Sequence, residues 1–520
     1  AEGITGQRAQ LASLEELTTQ SNEALRLYLD GIRNFRRGLG MQETTELVRR
    51  AVALDSTFAL AAYWAGYMAV YQELPALEHF RLATRHRARL SARAQMRLAA
   101  ALAAEEGRHA EAISLYRRLV DRYPDDVAGW FQLGEQLAHT GSFVGESAGA
   151  ARPAYERAVA LDPALAPAYL HLAIIGGLER DTLALDGWAE RLDSASVEPL
   201  WAGMIRMTRA GLNGDTALLD RSLDTFLDFE TDYPPATVAG TIAGLAGSVM
   251  ATDPRAARRL MERYTQRTVS DTTRAVMRRR LARFEGALGR FERAREELRA
   301  IGLDHRPLLP YDLAWLSLHP LAPGGERTRD AERRLRAVSP ERDTPEAFVR
   351  GYLLARLAMN VGATDRFRSE LQTLRQEQES SPAEPGGLGR DLVLELSALD
   401  ARLLGEPGRG LDSLLAAGYW MREETWPDPD RGTYFEGPLA DRWPAFLRAE
   451  LLREAGRASE ATLWYEIAAD GIWHRAIGLA RLGDHAEQAG DTASARVFRE
   501  SVTRMLADAD EEARSRAEVR

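Results

Sequence analysis

MRLAAALAAEEGRHAEAISLYRRLVDRYP, residues Met96 to Pro124, is followed by WFQLGEQLAHTGSFVGESAGAARPAYERAVALDP, residues Trp130 to Pro163, and the two read as one pattern written twice. Each runs through a helix with small residues on one face, a turn, and a second helix that ends at proline. In the first copy Met96, Ala99 and Ala100 take the packing positions of the leading helix, and Ala112, Tyr116 and Leu119 those of the second. In the second copy Trp130, Leu133 and Gly134 precede Tyr155, Ala158 and Pro163, with a five-residue insertion between the helices. A third copy starts at Tyr169, Leu172 and Ala173. A small residue at the closest crossing lets two backbones approach, and a bulky aromatic on the facing helix fills the space beside it.

The rest of the chain extends this reading. It is rich in Ala, Leu, Arg and Glu and poor in the β-branched runs that mark strands, which predicts an all-α protein. Further helical pairs are expected within Thr216–Phe229, Ala236–Gln266, Thr272–Ala300, Tyr311–Val338, Pro345–Gln378, Leu388–Ala416, Leu439–Ala469 and Ile472–Leu506. Gly107, Gly289, Gly456 and Gly490 each fall between an apolar helix and an Ala-rich one, where a C-terminal cap glycine belongs. At about 40 residues per pair the chain would hold roughly a dozen, stacked as one continuous α-solenoid. Four regions are expected: divergent repeats over 1–92, the clearest repeats over 93–195, divergent pairs over 196–380, and C-terminal pairs with an aromatic loop over 381–520. The softest joints are Glu377–Gly389, a Pro/Gly/Ser stretch, and Trp420–Pro438, which has no helical period.

What is missing limits the chemistry. All 67 basic residues are arginine, and lysine and cysteine are absent. A P-loop lysine, a kinase lysine–glutamate pair, a Schiff base, a thiolate nucleophile, a disulfide and a zinc–thiolate site are therefore all excluded. With 77 acidic residues and a net charge of -10, the chain lacks the basic surface that a nucleic acid needs, so none is expected as partner. The densest basic patch, Arg278 to Arg280 with Arg274 and Arg283, reads as a solvated helix face with acidic partners.

Gly145-Glu146-Ser147-Ala148-Gly149 has the G-x-S-x-G form of a nucleophile elbow, with Ser147 as the candidate nucleophile. The elbow needs a strand before it and a helix after it, whereas here it falls in the insertion between two helices. His139 or His171 would have to act as base with no evident acid to orient it. None of the nine histidines stands four residues from another, so no helix-borne pair of imidazoles is expected, no metal is assigned, and no cofactor either. Asp508 to Glu512 lacks the glycine and alternating oxygens of a calcium loop and reads as the polar end of the last helix. Tyr233–Thr252 carries no charge and contains Gly240 and Gly244 in a G-x-x-x-G pair. Its apolar part is shorter than the roughly 20 residues a span requires, so it reads as a buried solenoid helix and not as a membrane anchor. The chain begins at Ala1 without methionine, which reads as a processed or clipped product.

The repeated pattern resembles the tetratricopeptide (TPR) family, strongly over Arg93–Ile174 and weakly elsewhere. LTTQSNEALRLYLDGIRNFRRG, RRAVALDSTFALAAYWAG and WPAFLRAELLREAGRASEATLWYE also resemble the long TPR regions of bacterial serine/threonine receptor kinases and of bacterial transcriptional regulators. None of the kinase motifs is in these residues. The resemblance implies a non-catalytic scaffold or sensor arm that holds a peptide or protein segment in the concave face of the stack. On that face it would place Arg97, Glu105, Phe131, Glu135, His139, Leu170 and Ile174, together with Ala101. Trp420, Trp426, Tyr434 and Phe435 offer a second contact surface, or else a cap over the last helices. Two alternatives stand beside this reading: a structural subunit of a larger bacterial assembly, and a serine hydrolase using Ser147. The receptor-kinase likeness implies an extracytoplasmic location, and the regulator likeness a cytoplasmic one.

Overall fold

The computed structural model describes residues 19–71, 76–195, 197, 199–226, 235–268, 271–302, 308–342, 344–380, 388–417, 425–428, 433–436 and 443–519. The chain divides into two compact units, Ala1–Ser248 and Val249–Arg520, with the division falling inside the helix Pro235–Met250. Each unit is a stack of antiparallel helix pairs, the α-solenoid arrangement expected from the sequence. The first copy of the quoted repeat is the pair Ala92–Glu105 and His109–Arg122. The second is Val127–Thr140 and Arg152–Leu161, and the third opens with Ala166–Glu179.

The small-against-large rule is visible at Gly134, where an added Cβ would lie 2.7 Å from the Tyr155 ring. Tyr116, Tyr155 and Tyr169 are all fully buried. Gly107, Gly289, Gly456 and Gly490 all adopt positive φ and end their helices. The helix Pro235–Met250 is packed in by its small residues: a Cβ on Gly244 would come within 2.9 Å of Ile174 Cδ1. Among the described residues no helix is long and apolar enough to cross a membrane.

In the N-terminal unit one helix departs from the amphipathic pattern. Ala59–Tyr71 (ALAAYWAGYMAVY) is buried from Ala59 to Ala69, as an apolar helix without a polar face must be. Its rings meet Phe35 of the first described helix, Asn22–Arg37, with centroids 5.7 Å away for Trp64, 6.0 Å for Tyr67 and 5.8 Å for Tyr71. Phe35 in turn touches Phe131 at 5.9 Å. The same first helix pairs Arg36 with Asp162, and the Trp201 indole N–H donates to the Gly38 carbonyl at 3.3 Å. Asn22–Arg37 thus reaches repeats more than a hundred residues downstream and fills the inside of its own stack.

The C-terminal unit carries several ion pairs, buried and exposed. Arg274, Arg278 and Arg279 pair with Asp271, Glu297 and Asp312, and Arg283 lies over the Trp315 ring, so three of the five arginines of this basic patch have acidic partners as expected. Asp508–Glu512 does not close the last helix as expected but leads into a further one, Glu511–Val519. Asp510 accepts the backbone N–H groups of Phe291 at 2.8 Å and Glu292 at 3.3 Å, and so caps the helix Phe291–Arg299, whose own N-cap residue Arg290 has no capping side chain. Residues 425–428 and 433–436, read as loop from sequence, form an antiparallel pair with Trp426 opposite Phe435 and Pro427 opposite Tyr434. Thr, Trp, Tyr and Phe favour that conformation.

In the same unit Glu395 accepts the Tyr352 hydroxyl, while Arg356 donates to Tyr352 at 2.7 Å and stacks 3.9 Å over Trp443. Burial pushes the Glu395 carboxyl up to about 7, against the pull of Arg356 and Tyr352. A carboxyl raised in the folded state from its ordinary 4.5 stabilises fully below that value, and the contribution is lost as pH rises through about 7. Thermal stability of the chain should therefore fall between about pH 5 and pH 8, and Glu395→Gln, which cannot ionise, should flatten that slope. Parallel melting curves for the two proteins across this range would refute the assignment.

Candidate functional site

The helix Val127–Thr140 starts at Asp126, whose carboxylate accepts the Gly129 N–H at 2.8 Å. Four residues apart on this helix, Glu135 and His139 share one face. His171 comes from Ala166–Glu179, the leading helix of the next repeat. The stacking of repeats places His171 Nε2 3.1 Å from Glu135 Oε1, and His139 Nε2 lies 4.0 Å from Glu135 Oε2. The two imidazoles meet edge to face at 4.9 Å.

Glu135 is the hub. Its Oε1 accepts the Tyr155 hydroxyl at 2.6 Å and its Oε2 the Tyr71 hydroxyl at 2.5 Å, so each carboxylate oxygen is held by a tyrosine, one buried and one half-buried. Burial pushes this carboxyl up, but His171, His139 and the Tyr155 hydroxyl outweigh it and hold it down at about 2. Burial and the Glu135 charge raise the Tyr71 hydroxyl well above its ordinary range, which keeps it a donor. The His171 ring stacks on Tyr155, centroids 5.0 Å apart and 2° from parallel. Exposure grades outward across the group, from 10% for the Glu135 side chain to 15% for His171 and 47% for His139. The cluster therefore opens to solvent at His139.

The residues expected on an open concave face divide into two sets. Arg97, Ala101, Phe131 and Glu135 are buried, a departure from that expectation. Phe131 sits against Phe35 and Tyr155, Arg97 lies 3.7 Å from Asp126, and Glu135 is taken up by its tyrosines. The physical reason is the aromatic helix Ala59–Tyr71 and the helix Asn22–Arg37, which occupy the space a ligand would need. Glu105, Leu170 and Ile174 are half-buried and His139 is exposed, so these four form the accessible part of the set. Trp420 and the side chains of Trp426, Tyr434 and Phe435 lie outside the described residues.

Ser147 has extended backbone between two short 3-10 turns, Gly141–Val144 and Ala148–Ala151, with neither a strand before it nor a long helix directly after it. That is not the strand–turn–helix of a nucleophile elbow. The Glu135 cluster does not show as a pair of histidines in the sequence, because one ligand is a carboxylate and the third member comes from another repeat. Glu-x-x-x-His within a predicted helix was the available signal.

Residues 92–135 match the tetratricopeptide repeat family model. Among solved structures the chain is similar to the Naa15/Naa10 complex bound to HypK-THB, at 13% identity over 98% of this chain and 77% of that one, with a TM-score of 0.25. It is also similar to the APC/C hetero-tetramer Cut9–Hcn1, at 10% identity over 98% of this chain and 99% of that one, with a TM-score of 0.28. The curated proteins gave no match.

Proposed function

We propose that this tetratricopeptide-repeat chain is a non-catalytic scaffold that binds a peptide or protein segment. One observation carries the reading: a tetratricopeptide repeat at residues 92–135 is embedded in a chain whose described residues, apart from one short strand pair, form antiparallel helix pairs. In such a stack the regular residues serve packing, and the exposed residues of successive leading helices form a ladder that an extended segment can follow. Here that ladder is Glu105, His139, Leu170 and Ile174, at the rim of the filled interior. The mixture of aliphatic and charged groups suits an amphipathic segment better than a free carboxylate, since no lysine is present to clamp one.

Leu170→Asp and Glu105→Arg test this surface without touching the aromatic interior. Cross-linking of the tagged chain in a lysate of its source, followed by mass spectrometry, should show partner peptides attached near these positions. Both variants should keep the helical circular dichroism and lose those partners by roughly tenfold or more, the effect of placing a charge in a contact centre. Retention of the same partners by both variants would move binding away from this rim and overturn the proposal.

A further inference from the structure

We propose that Glu135, His139 and His171 form a binding site for one divalent transition-metal ion, zinc being the ion that the donors fit best. The three ligand atoms, one carboxylate oxygen and two imidazole nitrogens, all lie within 4.8 Å of one another. Two of them are supplied at i and i+4 of a single helix, the spacing by which helices present paired metal ligands. The third is delivered by the neighbouring repeat. Two nitrogens and one oxygen select zinc and its neighbours over magnesium or calcium, which take all-oxygen shells. Three protein ligands with one position left over are the arrangement of an open zinc site, and the exposed side of His139 is where a water would complete it.

The donors need little adjustment. A four-coordinate ion with bonds of about 2.0–2.1 Å holds its ligand atoms about 3.3 Å apart. His171 and Glu135 stand at 3.1 Å already. His139 Nε2 lies 4.0 Å from the other carboxylate oxygen, Oε2, and with all three ligand atoms within 4.8 Å of one another this half-exposed side chain can close the remaining distance by rotation. The supporting shell is in place as well. Tyr71 and Tyr155 each donate to a different oxygen of Glu135, which fixes the carboxylate plane, and the Tyr155 ring fixes the His171 plane by stacking. Ligands oriented by buried hydrogen bonds in this way are what metal sites require of their surroundings.

The test uses the full chain stripped with a chelator and titrated with Zn2+ by calorimetry, with Co2+ as a spectroscopic substitute. The expected result is one equivalent of tight binding and the intense visible bands of four-coordinate cobalt. His139→Ala, at the mouth of the cluster, should keep the helical circular dichroism yet lose affinity by roughly tenfold or more and lose the bands. His79→Ala, a histidine away from the cluster, should do neither. Zinc should also raise the unfolding midpoint of the parent chain and not that of His139→Ala. His171→Ala is a second check, and if it fails to fold, His139→Ala alone decides. Equal zinc affinity for the parent and His139→Ala, or cobalt spectra that are pale and octahedral in both, would overturn the proposal. Its failure is distinguishable from failure of the scaffold reading: the metal test reads His139→Ala by calorimetry and cobalt spectra, whereas the partner test reads Leu170→Asp and Glu105→Arg by cross-linking.

Discussion

Phe35→Ala should lower the stability of the N-terminal unit by about 3–5 kcal/mol. The Phe35 ring is 1% exposed and meets four aromatic rings, Trp64, Tyr67, Tyr71 and Phe131, at centroid distances of 5.7 to 6.0 Å. Removing it deletes the buried ring and leaves a cavity that these stiff neighbours cannot collapse to fill. The effect reaches further than one helix. Phe35 joins the first described helix to the Val127–Thr140 repeat, so its loss frees Asn22–Arg37 from the inside of the stack. Urea unfolding followed by near-ultraviolet circular dichroism would show an early transition displaced to lower denaturant. An unfolding free energy within about 0.5 kcal/mol of the parent would mean that the interior is not closed by this ring.

Glu450→Ala should cost the C-terminal unit a similar amount, about 3–5 kcal/mol, for an electrostatic reason. The Glu450 side chain is 3% exposed and accepts four donors: Tyr465 at 2.6 Å, Arg481 at 2.9 Å, Arg402 at 2.8 Å and Arg453 at 3.1 Å. Alanine leaves three guanidinium groups close together with no carboxylate between them. Burial pushes the Glu450 carboxyl up, but Tyr465 and the three arginines outweigh it, so its folded value lies below the ordinary one. A depressed carboxyl contributes stability that is present above its unfolded value and lost as pH falls through the folded one. The gap between parent and Glu450→Ala should therefore be widest near neutral pH and narrow on acidification below about pH 4.5. A gap that stays constant into acid would show that lost packing, and not lost charge, is responsible.

Glu450 and Glu135 share one construction. Each stands on a leading helix directly after a small residue, Ala449 or Gly134, and each accepts the hydroxyl of a tyrosine on the following helix, Tyr465 or Tyr155. The small residue admits the tyrosine, and the tyrosine carries its hydroxyl to the carboxylate one position on. The same packing device thus yields an arginine cage in one unit and a histidine cluster in the other, according to what the neighbouring helices supply.

The helix pairs were legible because their signals are local. The small-large alternation at Gly134 and Tyr155 and the glycine stops at Gly107, Gly289, Gly456 and Gly490 depend on contacts within one repeat, and the structure has each of them in place. Two of the three members of the Glu135 cluster were legible in the same sense, since Glu135 and His139 lie one helical turn apart. What the sequence by itself determined was the repeating unit and its antiparallel packing, because those contacts span a few tens of residues at most. The burial of Phe131, Glu135 and Arg97, the filling of the inner face by Asn22–Arg37 and Ala59–Tyr71, and the arrival of His171 beside Glu135 were decided by tertiary structure alone. The physical reason is that the curvature of a solenoid is the sum of small rotations between successive repeats. No single residue encodes that sum, so which side chains finally meet across the inside of the stack is known only once the repeats are assembled.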